Sequence, residues 1–519
     1  MAFLRDGKDW LHPIYACLRR RGRRLWHGWS EGGQHAWIEA ARRDHPTADR
    51  MELFLPQRRI PLAGPGPSPR RWGGVFGVEV CHGGRYARMA PSHMIAANHS
   101  WDRALAQCRA MLAPDPAGGD AHRLEGPTVL LPLDGSAAPC TWHRSGHPVA
   151  IAAVTDEWVR ALAHRLGGWL LAQTAPDGRL AYKYWPSRGA ESAANNSVRQ
   201  FMGTLALGRF ARWTGDPEAL AAAERNLDYQ LRTFYRAQPD GSAVIEHGGS
   251  AKLGAAAIAG LALLEAPSTP ERADALGRLA RGIELLWRPS GAFRTFHHPP
   301  DRNDNQNFYP GEAALFWAHL YARERDPVVL TRLLRTLDHY RDWHRANRNP
   351  AFIPWHVQAH AALYDATGLD QRVPFIFEMV DWLLPMQQWE TAPDEDMRGR
   401  FWDPARPDFG PPHAASTGAY LEGLAAAIGV ARAVGENKRA KLYEQAFRRG
   451  LRSIGQLTYG DEMDFFYISR RNRVNGGVRT EVYDNTIRVD NVQHPLMAIL
   501  GMIPSKRAAP VLGRPPAET

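Results

Sequence analysis

The chain has 519 residues, with 64 Lys and Arg against 54 Asp and Glu, a formal charge of +10, and 44% hydrophobic against 23% charged residues. That balance is ordinary for a folded globular protein, and no run approaches the ~18 uninterrupted apolar residues of a membrane-spanning helix. The four cysteines, Cys17, Cys81, Cys108 and Cys140, have neither the spacing of a disulfide framework nor that of a zinc site.

The beginning of the chain carries Arg5, Asp6, Lys8 and Asp9 and no apolar core of the kind a secretory leader needs, so a cytoplasmic location is expected. Up to about residue 60 the pattern predicts one or two amphipathic helices broken by Pro13 and Pro46. Residues 1–75 hold 13 Arg and one Lys against 7 acids, with Arg19, Arg20, Arg21, Arg23 and Arg24 clustered. Such an arm could touch nucleic acid, an anionic membrane or an acidic polymer. An Arg-rich solvated helix is the plainer reading, and nucleic acid is not the expected partner. Residues 61–69 read as a Pro/Gly linker, and the alternation over 72–89 about His82-Gly83-Gly84 predicts a hairpin. A helix is expected over 101–112, capped by Asn98 or Ser100, then a loop at 114–120 and a strand over 128–133. Residues 1–150 are therefore expected to be a basic α+β region, with no role readable from composition.

From Thr155 to Ile503 one unit recurs six times: a helix with one wet face, a turn, a short aromatic or His-bearing segment, and a helix of small residues. The turns are Pro176-Asp177-Gly178, Pro239-Asp240-Gly241, Pro289-Ser290-Gly291, Asn349-Pro350-Ala351, Pro407-Asp408-Phe409 and Asn475-Gly476-Gly477. A recurring period marks one supersecondary unit used repeatedly. The first helix of each unit spaces its apolar residues at 3.6, as in Val159, Leu162, Leu166, Trp169 and Leu170. The second is nearly uncharged and rich in Ala and Gly, as over 253–264 and 418–430, and a helix apolar all round belongs inside. Six wet helices alternating with six dry ones close into a double ring. The predicted fold is mainly α, an (α/α)6 toroid over 151–503 preceded by the smaller α+β region, with 504–519 as a disordered tail.

In a toroid every inner helix starts at the same end, so polar residues at those starts converge on one funnel. The six openings contribute Tyr182, Tyr184, Asn196 and Arg199; Glu246, His247 and Lys252; His298, Tyr309 and Glu312; Trp355 and His356; His413, Tyr420 and Glu422; and Arg479, Arg488, Asp490 and His494. Capping explains any one of them, but all six openings together exceed what capping needs. Aromatic faces beside carboxylates, amides and guanidiniums suit sugar rings, so an oligo- or polysaccharide is the expected partner.

Hydrolysis of a glycosidic bond needs two carboxyl groups, one protonated and one ionised. Glu312 stands alone in the apolar stretch EAALFWAHLY, so its pKa should rise as a general acid's must, with Asp490 or Glu422 as base. Asp490 and His494, four residues apart on a helix, could instead be a proton-abstracting base and its orienter. With Lys252 and the His-rich mouth, that leaves a uronate epimerase or lyase as the alternative. A non-catalytic glycan-binding or assembly protein is a third.

No cofactor or metal is expected. His356 and His360 have ligand spacing, but Val357 replaces the glutamate of an HExxH helix. The acidic runs 394–396 and 461–464 lack the glycine and terminal glutamate of a calcium loop and are expected to be solvated. Gly73-Gly74 and Gly83-Gly84 fit no nucleotide-binding fingerprint.

The six turns, the aromatic segments after them and the Ala/Gly-rich inner helices of residues 155–503 resemble the six-hairpin glycosidase superfamily. The Tyr309-Pro310-Gly311-Glu312 run and the stretch from Arg488 to His494 are similar to toroids that process bacterial polysaccharides, including C-terminal domains like those of glucuronyl C5-epimerases. Lanthionine cyclases and triterpene cyclases share the architecture, but every cysteine here precedes the toroid and a DxDD motif is missing. The resemblance implies carbohydrate substrates and fixes neither bond nor sugar.

Overall fold

The computed structural model describes residues 12–30, 36–62, 68–112, 119–135, 137–144, 146–460 and 466–503. The expected disordered tail at 504–519 and the acidic run at 461–464 lie outside the described residues. Among the described residues no helix is long and apolar enough to cross a membrane.

The helices expected before residue 60 are mostly strands. β1 (Tyr15–Arg20) and β2 (Arg23–Trp29) form a hairpin turned by Arg21 and Gly22, at φ 47° and 78°. Two successive positive-φ residues make the hairpin turn whose twist matches the strands. A short buried run such as Tyr15 to Leu18 fits strand and helix equally by pattern, and Gly22 is what decides. Among the described residues only α1 (Ala36–Asp44) is helical before β3 (Arg50–Phe54) and β4 (Arg58–Pro61).

β5 (Gly77–His82) and β6 (Arg85–Met89) form the expected hairpin about Gly83 and Gly84. α2 (Pro91–Ala97) follows, then α3 (Trp101–Leu112), whose cap is Ser100: its Oγ accepts from the Arg103 N–H at 3.2 Å. β7 (Asp120–Glu125), β8 (Thr128–Pro132) and β9 (Cys140–Thr141) complete two antiparallel sheets, ordered β2-β1-β3-β8-β9 and β4-β7-β5-β6.

Twelve helices then build the (α/α)6 toroid. The outer ones are α4 (Asp156–Gln173), α6 (Pro217–Phe234), α8 (Pro270–Leu286), α10 (Pro327–Ala346), α12 (Val373–Leu383) and α14 (Asn437–Leu457). The inner ones are α5 (Ser197–Thr214), α7 (Leu253–Glu265), α9 (Tyr309–Glu324), α11 (Ile353–Thr367), α13 (Ala414–Ala433) and α15 (Val489–Met502). Outer starts are written locally: Asp216, Thr269 and Asp326 each cap a helix that has Pro at its first position. Each inner helix packs on the next, and α15 on α5 closes the circle. Small residues set that spacing: a Cβ on Gly260 of α7 would lie 2.5 Å from the Phe316 ring of α9.

Glycines in four of the six hairpins lock a unit to the next outer helix. A Cβ on Gly178 would lie 2.2 Å from the Arg225 carbonyl oxygen in α6, one on Gly291 2.4 Å from that of Arg335 in α10, and one on Gly476 2.1 Å from that of Arg165 in α4. The last contact joins the sixth hairpin to the first. Here the fifth predicted turn is corrected: Pro407 to Phe409 is a later 3₁₀ turn, and the equivalent position is Gly399, at φ 95°, with Cβ space only 1.9 Å from the Arg449 carbonyl oxygen of α14. Its signal is masked by the long connection to α13, in which no Pro-Asp-Gly triplet stands. Gly399→Ala meets both a forbidden φ and a backbone clash, and is expected to destabilise by about 2–4 kcal/mol in urea unfolding. An unchanged midpoint would show that the turn is not fixed there. The fourth hairpin has no such glycine, and only residues 347–352 separate α10 from α11.

The N-terminal sheets dock on the ring through Arg144. Its Nη1 donates to both Asp396 oxygens at 2.5 and 2.6 Å and its Nη2 to Asp394 Oδ2 at 2.7 Å. The 394–396 run is thus solvated only in part: Asp396 is 3% exposed and Asp394 half-buried, while Glu395 is exposed. Among the described residues, His143, Asp394 and Asp396 are the group whose donor atoms come close enough for a metal, but the Arg144 guanidinium already holds those carboxylates. Asn98 adds an exchange with the ring, donating from Nδ2 to Asp484 Oδ1 at 3.1 Å and accepting from the Asn485 N–H at 2.8 Å.

Candidate active site

The starts of α5, α9, α11, α13 and α15 surround a cavity of about 310 Å³. Asn196 and Arg199, Tyr309 and Glu312, Trp355, His413 and Tyr420, and Asp490 and His494 all line it, so about half of the predicted funnel residues converge. Glu312 and Asp490 face the same space.

Glu312 lies one turn into α9, where the surrounding residues are apolar, and is 3% exposed. Its Oε2 has no hydrogen-bond partner. Space for the carboxyl is left by Gly254 of α7, whose Cβ would fall 1.9 Å from Oε2. Burial pushes its pKa up to about 8, opposed only in part by Lys252. At neutral pH it is therefore mostly a neutral acid carrying a proton.

Asp490 is equally buried and has the opposite state. Burial alone would raise its pKa, but Arg199 and Arg488, with His494 and His413, more than offset that and hold it below the usual carboxylate value. Arg488 grips it with Nε to Oδ1 and Nη2 to Oδ2, both at 2.9 Å, and Arg199 Nε approaches Oδ2 at 2.6 Å. Arg199 is in turn fixed by donating from Nη1 to Tyr182 Oη at 2.7 Å. Tyr182 and Arg488 thus serve the cavity from behind its wall.

His494 does not pair with Asp490, as their spacing predicts, but with Glu422 across the inner ring: Nδ1 lies 2.6 Å from Glu422 Oε1. The cause is the close approach of α13 to α15 at Gly418, where a Cβ would be 2.9 Å from His494 Cβ and 2.5 Å from Pro495 Cδ. Asp490, meanwhile, is taken by the two guanidiniums. His413 caps α13, its Nδ1 accepting from the Ser416 N–H at 2.9 Å, which places its own proton on Nε2. Burial first, then Arg488 and Arg199 against the pull of Asp490, bring its pKa down to about 4, so the ring is a neutral donor.

Besides Tyr182, Lys252, Glu422 and Arg488, which act from behind the lining, six predicted residues stand away from the cavity. Tyr184 is buried under the Arg473 guanidinium, 5.2 Å from its ring. Glu246 and His298 are exposed, and His247 rests edge-on against Phe234 at 5.2 Å. His356 is fully buried one layer behind Trp355, stacked on Phe352 at 3.6 Å. Arg479 is buried and donates from Nε to the Leu457 carbonyl at 3.4 Å. Apart from His356, which turns inward on α11, they sit on short strands whose alternate side chains leave the mouth, a direction that sequence spacing alone does not give. Gln493 is the residue the sequence reading passes over: fully buried, it lines the cavity with neither amide atom hydrogen-bonded. Its position three residues after Asp490 on one helix face was the available signal. Phe308 and Phe409 reach the cavity from loops and carry no such signal.

No protein-family model and no curated protein sequence matches the chain. Solved structures do. An unsaturated glucuronyl hydrolase specific for heparin is 11% identical, with a TM-score of 0.50 over 67% of this chain and 97% of that one. A cellobiose 2-epimerase from Bacillus thermoamylovorans is 11% identical, with a TM-score of 0.49 over 66% of this chain and 99% of that one. A family 76 glycoside hydrolase from a bovine Bacteroides thetaiotaomicron strain is 8% identical, with a TM-score of 0.48 over 88% and 96%. The first likeness shows the fold alone, an (α/α)6 toroid. A shared fold leaves the reaction to be argued from the site.

Proposed function

We propose that the protein is a carbohydrate-active enzyme that hydrolyses a glycosidic bond at the end of a bacterial oligo- or polysaccharide. The observation that carries this reading is Glu312, a carboxyl kept protonated by burial on the wall of a cavity that also holds the ionised Asp490. Two carboxyl groups driven to opposite protonation states in one site are what acid-assisted cleavage of an acetal requires. The volume sits at the lower end of the roughly 300–1,000 Å³ of small-molecule sites, which suits a terminal sugar better than the middle of a long chain. Trp355, Tyr309 and Tyr420 offer faces for sugar C–H groups.

In this reading Glu312 gives its proton to the departing oxygen. Asp490 is a weak base, being held low by two guanidiniums, and its fixed negative charge faces the positive charge that develops on the sugar ring. The water is activated by His494, whose Nε2 is free to accept a proton while Nδ1 is oriented by Glu422. His494→Ala is expected to lower kcat by about 10²-fold or more with KM little changed. Undiminished turnover would remove His494 from the chemistry.

The His494–Glu422 pair also favours a second reading, a uronate epimerase or lyase, because an oriented imidazole opposite a protonated carboxyl can move a proton at carbon. Products separate the three. A hydrolase releases a new reducing end, a lyase leaves an unsaturated uronide that absorbs in the near ultraviolet, and an epimerase incorporates solvent deuterium without cleavage. A glycan that binds and undergoes none of these changes would leave only a binding protein.

A further inference from the structure

A second cavity, of about 500 Å³, lies where the N-terminal sheets meet the last hairpin of the ring, between β1, β2, the start of α2 and residues 466–469. It shares no lining residue with the first. Three arginines reach it. Arg19 is buried, ion-paired to Glu52, and its guanidinium lies 4.4 Å from the Phe466 ring centroid. Arg23 and Arg24, both exposed, have no carboxylate partner among the described residues. Arg24 Nη1 instead lies 2.5 Å from His93 Nε2, and His93 is kept neutral by burial, with His27 and Arg24 adding to the effect and its pKa down to about 4. A guanidinium resting on a neutral imidazole keeps its whole charge.

Ser92 supplies the second observation. It is 2% exposed, lines the cavity, and its Oγ has no hydrogen-bond partner. Buried hydroxyls in folded proteins are almost always satisfied, so one left open beside two unpaired cations points to a missing acceptor. Two guanidiniums and a hydroxyl provide more donors than the two oxygens of a carboxylate accept from one side, whereas a tetrahedral group with three free oxygens matches them.

We propose that this cavity binds a phosphate or sulfate group, held by the Arg23 and Arg24 guanidiniums and Ser92 Oγ, on a ligand whose apolar face lies along Phe466 and Tyr467. Because β2 and α2 belong to the N-terminal region and Phe466 and Tyr467 to the ring, the ligand joins the two.

Isothermal titration calorimetry of the full chain with sodium phosphate, sodium sulfate and glucose 6-phosphate, at about 0.15 M salt, tests this. Saturable binding at one site is expected for at least one of them. Arg23→Gln with Arg24→Gln should weaken it about tenfold or more, and Ser92→Ala about fivefold. Arg42→Gln with Arg43→Gln, which removes the same charge from α1, should change it by less than about twofold. Tighter binding of glucose 6-phosphate than of phosphate identifies an esterified ligand, and equal binding identifies the free anion. Failure of all three to saturate, or equal weakening by both arginine pairs, overturns the proposal. Should the Arg23/Arg24 variant not fold, Ser92→Ala decides: binding unchanged by it removes the site.

Discussion

Glu312→Gln is expected to lower kcat by about 10²–10⁴-fold, the usual contribution of a positioned general acid, while leaving glycan binding nearly intact. Gln keeps the shape of a protonated carboxyl in the space that Gly254 leaves, so the loss reads the proton and not the packing. The pH dependence gives a second reading of the same group. With its pKa raised to about 8, Glu312 is protonated through neutral pH and loses its proton above that, so turnover should fall on the alkaline side of about pH 8. The sign for stability follows from linkage. A carboxyl whose folded pKa is raised stabilises the fold fully below its unfolded pKa, and that stability is lost as pH climbs through the folded pKa. Wild type should therefore lose on the order of a few kcal/mol between about pH 4.5 and 8, a loss that Glu312→Gln removes. Urea unfolding across that range checks it, and parallel curves for the two proteins would place the raised pKa elsewhere.

Arg144→Met is expected to destabilise the protein by about 3–5 kcal/mol, because it strands Asp396, and Asp394 beside it, at a buried junction. Removing the carboxylates as well, by Asp394→Asn and Asp396→Asn, should recover much of that loss, since an unpaired buried charge costs more than the missing bridge. Chemical unfolding of the single and triple variants separates the two effects. A triple variant no more stable than Arg144→Met would show that the arginine works by packing alone.

The toroid was legible because its information is periodic. Apolar residues at 3.6-residue spacing, Ala/Gly-rich second helices and Pro-x-Gly turns such as Pro289-Ser290-Gly291 are local signals that repeat, and each repeat supports the others. Glu312 was legible for the same reason: one carboxylate in an apolar helix forces its own burial. What failed was direction and partnership. Nothing in the spacing of Asp490 and His494 reveals that Glu422, on another helix, takes the imidazole, or that Arg199 and Arg488 take the aspartate. Likewise the run Asp394-Glu395-Asp396 looks solvated until Arg144, some 250 positions earlier, is brought against it. In the N-terminal region the single Gly22 outweighs a run of arginines that reads as helix.

The short connection at residues 347–352 leaves the rim uneven. The other five connections are longer, while the fourth spans only Asn347 to Phe352 before α11 begins, with Ala351 and Trp355 lining the cavity. A bound glycan longer than the basin would drape outward through this notch, over Trp355, since the connection there is the shortest of the six. Lengthening the loop there should shut out polymers while still admitting small oligomers, turning chain length into a property set by six residues.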